Sequence, residues 1–236
     1  MHKIAIPQSI VERVIARRGR ALVYDDLDPR KTALLVVDMQ NAFMLPSVAH
    51  TLCPMACTIV PNINRLAQAM RDNGGTVVWI KTTYTPETIK DWSAFYQLSR
   101  PEQTAKRAQA LAPGSKGHEL WAELDAQPSD LTVEKKRFSA FIQGSSDLAE
   151  VLRERGIDTV VVTGTVTGVC CESTARDAMM CNFKTIMVTD GNAAMTDEDH
   201  NASLAGFYLT FGDVMPTETV IEFLRRNAGK ELAAAE

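Results

Sequence analysis

Residues 157–180 read IDTVVVTGTVTGVCCESTARDAMM. An apolar, β-branched run of the kind buried inside a sheet stops in a Thr/Gly turn. A helical pattern then begins with two adjacent cysteines at its head. A strand that hands over directly to a helix is half of a βαβ unit, and the same handover recurs along the chain.

Upstream, TALLVVD (32–38) and TVVWIKT (76–82) are further strands, and LTVEK (131–135) is a third of weaker pattern. Between the first two, CTIVPNINRLAQAMRDNGG (57–75) has helical spacing and a double-glycine stop. SSDLAEVLRERG (145–156) is a helix with a Ser/Asp start and a Gly stop. Downstream come the strand KTIMVTDGN (184–192), the helix DEDHNASLAGFYLTFG (197–212), the short strand DVMPT (213–217) and the helix ETVIEFLRRNAG (218–229). This alternation predicts an α/β fold, a three-layer α-β-α sandwich around a central, mostly parallel six-stranded sheet. Pattern does not order the strands. The stretch 83–130 is irregular, with four prolines and the aromatics Tyr84, Trp92 and Tyr96.

The chain has 236 residues, 45% hydrophobic and 23% charged, which suits one large domain. Residues 26–228 are read as that domain, 1–25 as a helical N-terminal extension and 229–236 as a tail. A net charge of −4 without a basic block argues against nucleic-acid or acidic-membrane binding. No apolar run approaches the ~20 residues that span a bilayer, and the first residues lack the apolar core of a signal peptide. The expectation is a cytoplasmic protein. Five cysteines, an odd and sparse set, do not form a disulfide framework.

In a parallel sheet, ligands sit beyond the carboxyl ends of the strands. Asp38 ends the first strand, Lys135 ends the third, and Cys170 follows the turn after the fourth. An acid, a base and a thiol would then meet in one crevice. Each has a plainer reading: a turn cap for Asp38, a solvated charge run for Lys135, a small buried hydrophobe for either cysteine. Cys170 falls in the first helical turn, where the helix dipole favours a thiolate; Cys171 points about 100° away, into packing. Cys53 and Cys57 are spaced i, i+4 with only His50 near, too few ligands for a metal. His118 and His200 lie at no strand end. Neither a GxGxxG nor a P-loop pattern follows a strand, so no nucleotide cofactor is implied.

Read together, three stretches resemble the isochorismatase-like cysteine hydrolases. ALLVVDMQNAF resembles the first-strand motif with its catalytic aspartate, EKKRFSAF the lysine segment, and VVTGTVTGVCCESTARDA the nucleophile loop. They stand in the family's order from about residue 30 to 225. The likeness is to N-carbamoylsarcosine amidase and to ureidoacrylate and biuret amidohydrolases. It implies a catalytic Asp38, Lys135 and Cys170; Lys135 is preferred to Lys136 because it stands two residues before Arg137, and strand alternation turns Lys136 away. It further implies oxyanion donors on the backbone of Thr167 and Cys170, and a cis peptide bond at Val166–Thr167. An ammonium and a helix start beside the thiol are expected to favour the thiolate.

The implied reaction is cleavage of the C–N bond of a small amide or ureide through a thioester, without a cofactor. The Asp-x-His metal motif of nicotinamidases is missing from MLPSVAHTLCPMACTIV, which implies no metal. By position, Gln40, Phe43, Thr82, Tyr84, Trp92 and Phe141 are the substrate-binding candidates, and Arg137 is set either toward a substrate carboxylate or in an internal ion pair. The family also implies a homo-oligomer, dimer or tetramer. Competing readings are an ether hydrolase on the same fold, a redox protein using Cys170–Cys171, and a non-catalytic binding member.

Overall fold

The computed structural model describes residues 1–228; the tail 229–236 lies outside the described residues. The helices are α1 (Gln8–Arg18), α2 (Asn41–Met44), α3 (Ala56–Asp72), α4 (Pro86–Asp91), α5 (Ser93–Tyr96), α6 (Pro101–Leu111), α7 (Leu148–Glu154), α8 (Glu172–Met180), α9 (Asp197–Thr210) and α10 (Thr217–Asn227). The strands are β1 (Thr32–Val37), β2 (Thr76–Thr82), β3 (Leu131–Lys135), β4 (Thr159–Thr165), β5 (Lys184–Ala193) and β6 (Asp213–Met215). They form one six-stranded sheet in the order β3-β2-β1-β4-β5-β6, with every neighbouring pair parallel. The expected α/β architecture is thus present, and the sheet is parallel throughout.

Burial follows from that order. β1 and β4 are central, and every residue of both is buried. Side-chain alternation splits β1 between two cores. Leu34 and Val36 pack with α3 and α10, while Ala33, Leu35 and Val37 pack with α1, α7, α8 and α9. A central residue such as Leu34 is enclosed on all sides, and truncating a side chain so placed costs about 2–5 kcal/mol. β3 runs along the sheet edge, where Thr132 and Glu134 face solvent; this one-sided burial is why its apolar pattern is weak.

In the N-terminal segment, α1 spans Gln8–Arg18 and packs on the body of its own chain. Val14 sits in the core beneath it, and Arg18 pairs with the buried Asp213 at 2.9 Å. Burial raises the Asp213 pKa, and the N–H groups of Tyr24 and Val23 together with Arg18 offset part of that rise. Ahead of α1, His2 stacks on His200 with centroids 4.3 Å apart and hydrogen-bonds Asp197. Among the described residues, no helix is long and apolar enough to cross a membrane.

Candidate active site

The carboxyl ends of β1, β2, β3 and β4 converge on one buried polar cluster. Asp38 stands one residue past β1, with φ of 54° and its N–H held by the Ile80 carbonyl at 2.9 Å. A left-handed conformation at a non-glycine residue costs on the order of 1 kcal/mol and re-aims the carboxylate out of the strand's alternation. Opposite it, Gly164 of β4 has φ of 118°, and a Cβ there would lie 2.1 Å from the Val37 carbonyl oxygen. Only glycine lets β4 approach the end of β1 this closely.

Lys135 ends β3 with its side chain turned inward, fully buried, whereas Lys136 is exposed. Its Nζ donates to Asp38 Oδ2 at 2.8 Å, to Thr82 Oγ1 at 2.6 Å and to the Arg137 carbonyl at 3.1 Å. The Thr82 hydroxyl and N–H both donate to Asp38 Oδ1, at 2.9 and 3.0 Å. Thr82 is therefore the bridge of the ion pair, accepting from the lysine and donating to the aspartate.

Cys170 lies in a π-helical turn, Thr167–Cys171, that runs straight into α8. Its thiol is buried beside the Asp38–Lys135 pair, close enough for the carboxylate and the ammonium both to act on it. Burial would lower the lysine's pKa, but Asp38 and the thiol reverse this and hold it above its ordinary value. Burial first and Asp38 next push the Cys170 thiol up to about 12, and Lys135 only partly opposes them. The expected resting thiolate is thus corrected. The helix start and the ammonium are present, but burial and the shared carboxylate outweigh them. Cys171 is fully buried with its Sγ toward the Thr163 carbonyl, in the packing position anticipated for it. All five cysteines are free.

The cis peptide bond lies at Thr165–Val166, one residue before the expected Val166–Thr167. No proline marks it, so the residue types in the turn do not fix its position. Thr167 itself is buried, and its hydroxyl hydrogen-bonds His200 Nδ1 at 2.8 Å. His200 Nε2 meets the Thr189 carbonyl at 2.9 Å. A carbonyl only accepts, so the proton is on Nε2 and Nδ1 accepts from Thr167. Burial lowers the His200 pKa to about 4, which keeps the ring neutral in this role. His118 likewise meets the Thr83 hydroxyl at 2.7 Å, so neither histidine is paired with the thiol.

Cys170 opens into a cavity of about 730 Å³. Of the anticipated substrate residues, Phe43, Thr82 and Trp92 line it. Gln40, Tyr84 and Phe141 do not, for separate reasons. Gln40 is fully buried; its Oε1 accepts from the Thr82 N–H and its Nε2 donates to the Thr82 and His118 carbonyls, which pins the end of β2. Tyr84 packs edge-on against Tyr96, and Phe141 packs against Phe183 in the core. Proximity to a strand end placed all three near the site, but side-chain direction carries them elsewhere.

The remaining wall was not anticipated. Phe95 and Arg107 come from α5 and α6, Phe138 from the loop after β3, and Glu172, Arg176 and Ser203 from α8 and α9. Arg137, set between a substrate carboxylate and an internal ion pair, also lines the cavity. Its guanidinium donates to the Lys136 and Asp91 carbonyls. Cys53 donates to the Ala194 carbonyl. No group of three His, Cys, Asp or Glu side chains suited to a metal occurs among the described residues.

A model of the isochorismatase domain matches residues 32–219. Among solved structures, a cysteine hydrolase from Pseudomonas syringae pv. phaseolicola 1448A is 31% identical, with a TM-score of 0.77, over 86% of this chain and 96% of the other. An isochorismatase-like hydrolase from Alkaliphilus metalliredigens is 32% identical over 81% and 98%, with a TM-score of 0.66. The N-carbamoylsarcosine amidase from Thermoplasma acidophilum is 28% identical over 80% and 97%, with a TM-score of 0.64. With its cysteine, aspartate and lysine gathered at the ends of a parallel sheet, the chain belongs to the isochorismatase-like family of hydrolases.

Proposed function

We propose that the protein is a cysteine-dependent amidohydrolase that cleaves the C–N bond of a small amide or ureide through a thioester, releasing ammonia or an amine. The observation that carries this reading is Cys170 buried beside the Asp38–Lys135 ion pair and lining an open cavity. Likeness to an amidase supports it.

In the resting site the proton is on sulfur and Asp38 is its acceptor. As the substrate carbonyl arrives, Asp38 takes the thiol proton and Cys170 Sγ bonds to the carbonyl carbon. The tetrahedral oxyanion is received by backbone N–H groups: that of Cys170, and one from the Val166–Thr167 segment behind it. Each such donor is worth about 3–4 kcal/mol in the well-measured cases. Protonated Asp38 passes its proton to the leaving nitrogen, the C–N bond breaks, and ammonia or an amine departs. Water then gives a proton to Asp38 while its oxygen attacks the thioester. The C–S bond breaks, sulfur regains the proton, and a carboxylic or carbamic acid leaves. Lys135 stays protonated throughout and holds the aspartate in place. The thiolate forms only as it attacks, which suits a thiol whose pKa is about 12 at rest.

The test is ammonia release from nicotinamide, biuret, N-carbamoyl amino acids and ureidoacrylate-like compounds, with wild type, Cys170→Ala and Cys171→Ala side by side. Release by wild type and Cys171→Ala, abolished in Cys170→Ala, is the expected result. Release that survives Cys170→Ala defeats the proposal. We further propose a homo-oligomer without nucleic-acid or membrane partners, which sedimentation of the purified chain would check.

A further inference from the structure

The cavity above Cys170 holds more positive charge than the protein neutralises. Three arginines, Arg107, Arg137 and Arg176, line it against two carboxylates, Glu172 and Asp199, and Asp199 is exposed to solvent at the rim. Arg176 is paired with Glu172 four residues earlier, and the other Glu172 oxygen accepts from Ser203 at 2.6 Å. Arg107 and Arg137 have no carboxylate within ion-pair distance among the described residues. Their anchors are neutral: aromatic faces for Arg107, backbone carbonyls for Arg137.

Both guanidinium groups border one aromatic cluster. Trp92 stacks on Phe95 with centroids 4.2 Å apart, and Phe138 stands edge-on to both, at 4.9 and 5.1 Å. The Arg107 guanidinium lies over Phe95 at 4.8 Å and Phe138 at 5.9 Å, and that of Arg137 over Trp92 at 5.3 Å. Aromatic faces hold a guanidinium in place without cancelling its charge, and both arginines are half-buried. Each keeps N–H groups in the planar fork that fits a carboxylate. Arg107 and Arg137 line the same cavity as Cys170, so one ligand can meet the guanidinium groups and the thiol together.

We infer that the substrate carries a carboxylate at the end remote from the scissile amide, and that Arg107 and Arg137 select it. This rests on the amidohydrolase reading and narrows it to acid amides and ureido acids. A neutral amide of the same size leaves two half-desolvated cations unpaired and is selected against.

Matched pairs test this: N-carbamoylglycine, N-carbamoyl-β-alanine and succinamic acid, each against its own methyl ester. Ammonia release is measured with wild type, Arg107→Gln, Arg107→Lys and Arg137→Gln, and binding to Cys170→Ala is measured by calorimetry. In the best pair the acid should exceed its ester in kcat/KM by about 10- to 100-fold, the scale of charge-assisted hydrogen bonds. The difference should lie mainly in KM. Arg107→Gln and Arg137→Gln should collapse that ratio, and Arg107→Lys should restore part of it. Esters that match their acids in every pair, a ratio unmoved by both Gln variants, or no binding and no release in any pair overturn the inference. Ammonia release without acid preference leaves the amidohydrolase standing alone. Acid-selective binding to Cys170→Ala, with no ammonia from wild type, would instead defeat the amidohydrolase reading.

Discussion

Replacing Asp38 with asparagine should abolish turnover and yet make Cys170 easier to alkylate. With a pKa of about 12, the wild-type thiol is only about one part in 10⁴ thiolate at pH 8. Burial is the largest cause of that value, Asp38 the next, and Lys135 acts in the opposite sense. Asp38→Asn removes the negative neighbour and leaves the ammonium, which then has only the sulfur to pair with. Two unit charges about 4 Å apart at an effective dielectric near 20 interact by ~4 kcal/mol, or ~3 pH units. The thiolate fraction at pH 8 should therefore rise by about 10²–10³, the lower figure allowing for a drop in the lysine's own pKa once it is unpaired. The assay is iodoacetamide labelling across pH 6–10, with Cys170 resolved from Cys171 by tandem mass spectrometry. Labelling that slows or is unchanged in Asp38→Asn, or a wild-type midpoint below pH 8, would refute the electrostatic reasoning. Loss of the buried partner should also cost about 3–5 kcal/mol in urea unfolding, reduced to the extent that the thiolate takes the carboxylate's place.

Thr82→Val keeps the shape of the ion-pair bridge but removes its hydroxyl, and should lower kcat about tenfold with a stability loss of about 1–3 kcal/mol, read by steady-state kinetics and thermal melts. Gly164→Ala places a Cβ 2.1 Å from the Val37 carbonyl oxygen at φ of 118°; a loss above about 4 kcal/mol, or no folded protein, is expected, and a normal melt would contradict the geometry. His200 has a folded pKa of about 4 against an ordinary 6.5, so the unfolded chain binds the proton first. Stability is then full above pH 6.5 and falls as pH drops toward 4, by roughly 3 kcal/mol from this residue; urea titrations at pH 7, 5.5 and 4.5 should lose that slope in His200→Gln. Phe141→Leu should lower the melting temperature without changing KM, since its ring packs on Phe183, whereas Trp92→Ala should raise KM.

Asp38, Lys135 and Cys170 were legible because each sits where topology exposes it. Strand runs that stop at a polar residue identified Asp38 and Lys135, and strand alternation separated Lys135 from the exposed Lys136. The wall of the cavity was not legible. Phe95 and Arg107 lie on helices that begin at Ser93 and Pro101, inside a stretch whose pattern has no period. On such a helix an arginine reads as a solvated charge, and nothing local says that Phe95 and Phe138 meet it. Thiol ionisation was not legible either, for a related reason. A motif names neighbours, whereas burial belongs to the whole fold. The bond at Thr165–Val166 escaped because no residue type there announces it.

The sheet order bears on how the chain is made. β1 lies between β2 and β4 and pairs with both. Its partner on one side starts at Thr76, but on the other the register Thr32↔Thr159 waits on more than a hundred further residues. During synthesis TALLVV therefore stays an apolar strand with one edge unsatisfied, open to pairing with any other extended chain. The strand that leads into Asp38 is thus half-paired until β4 emerges.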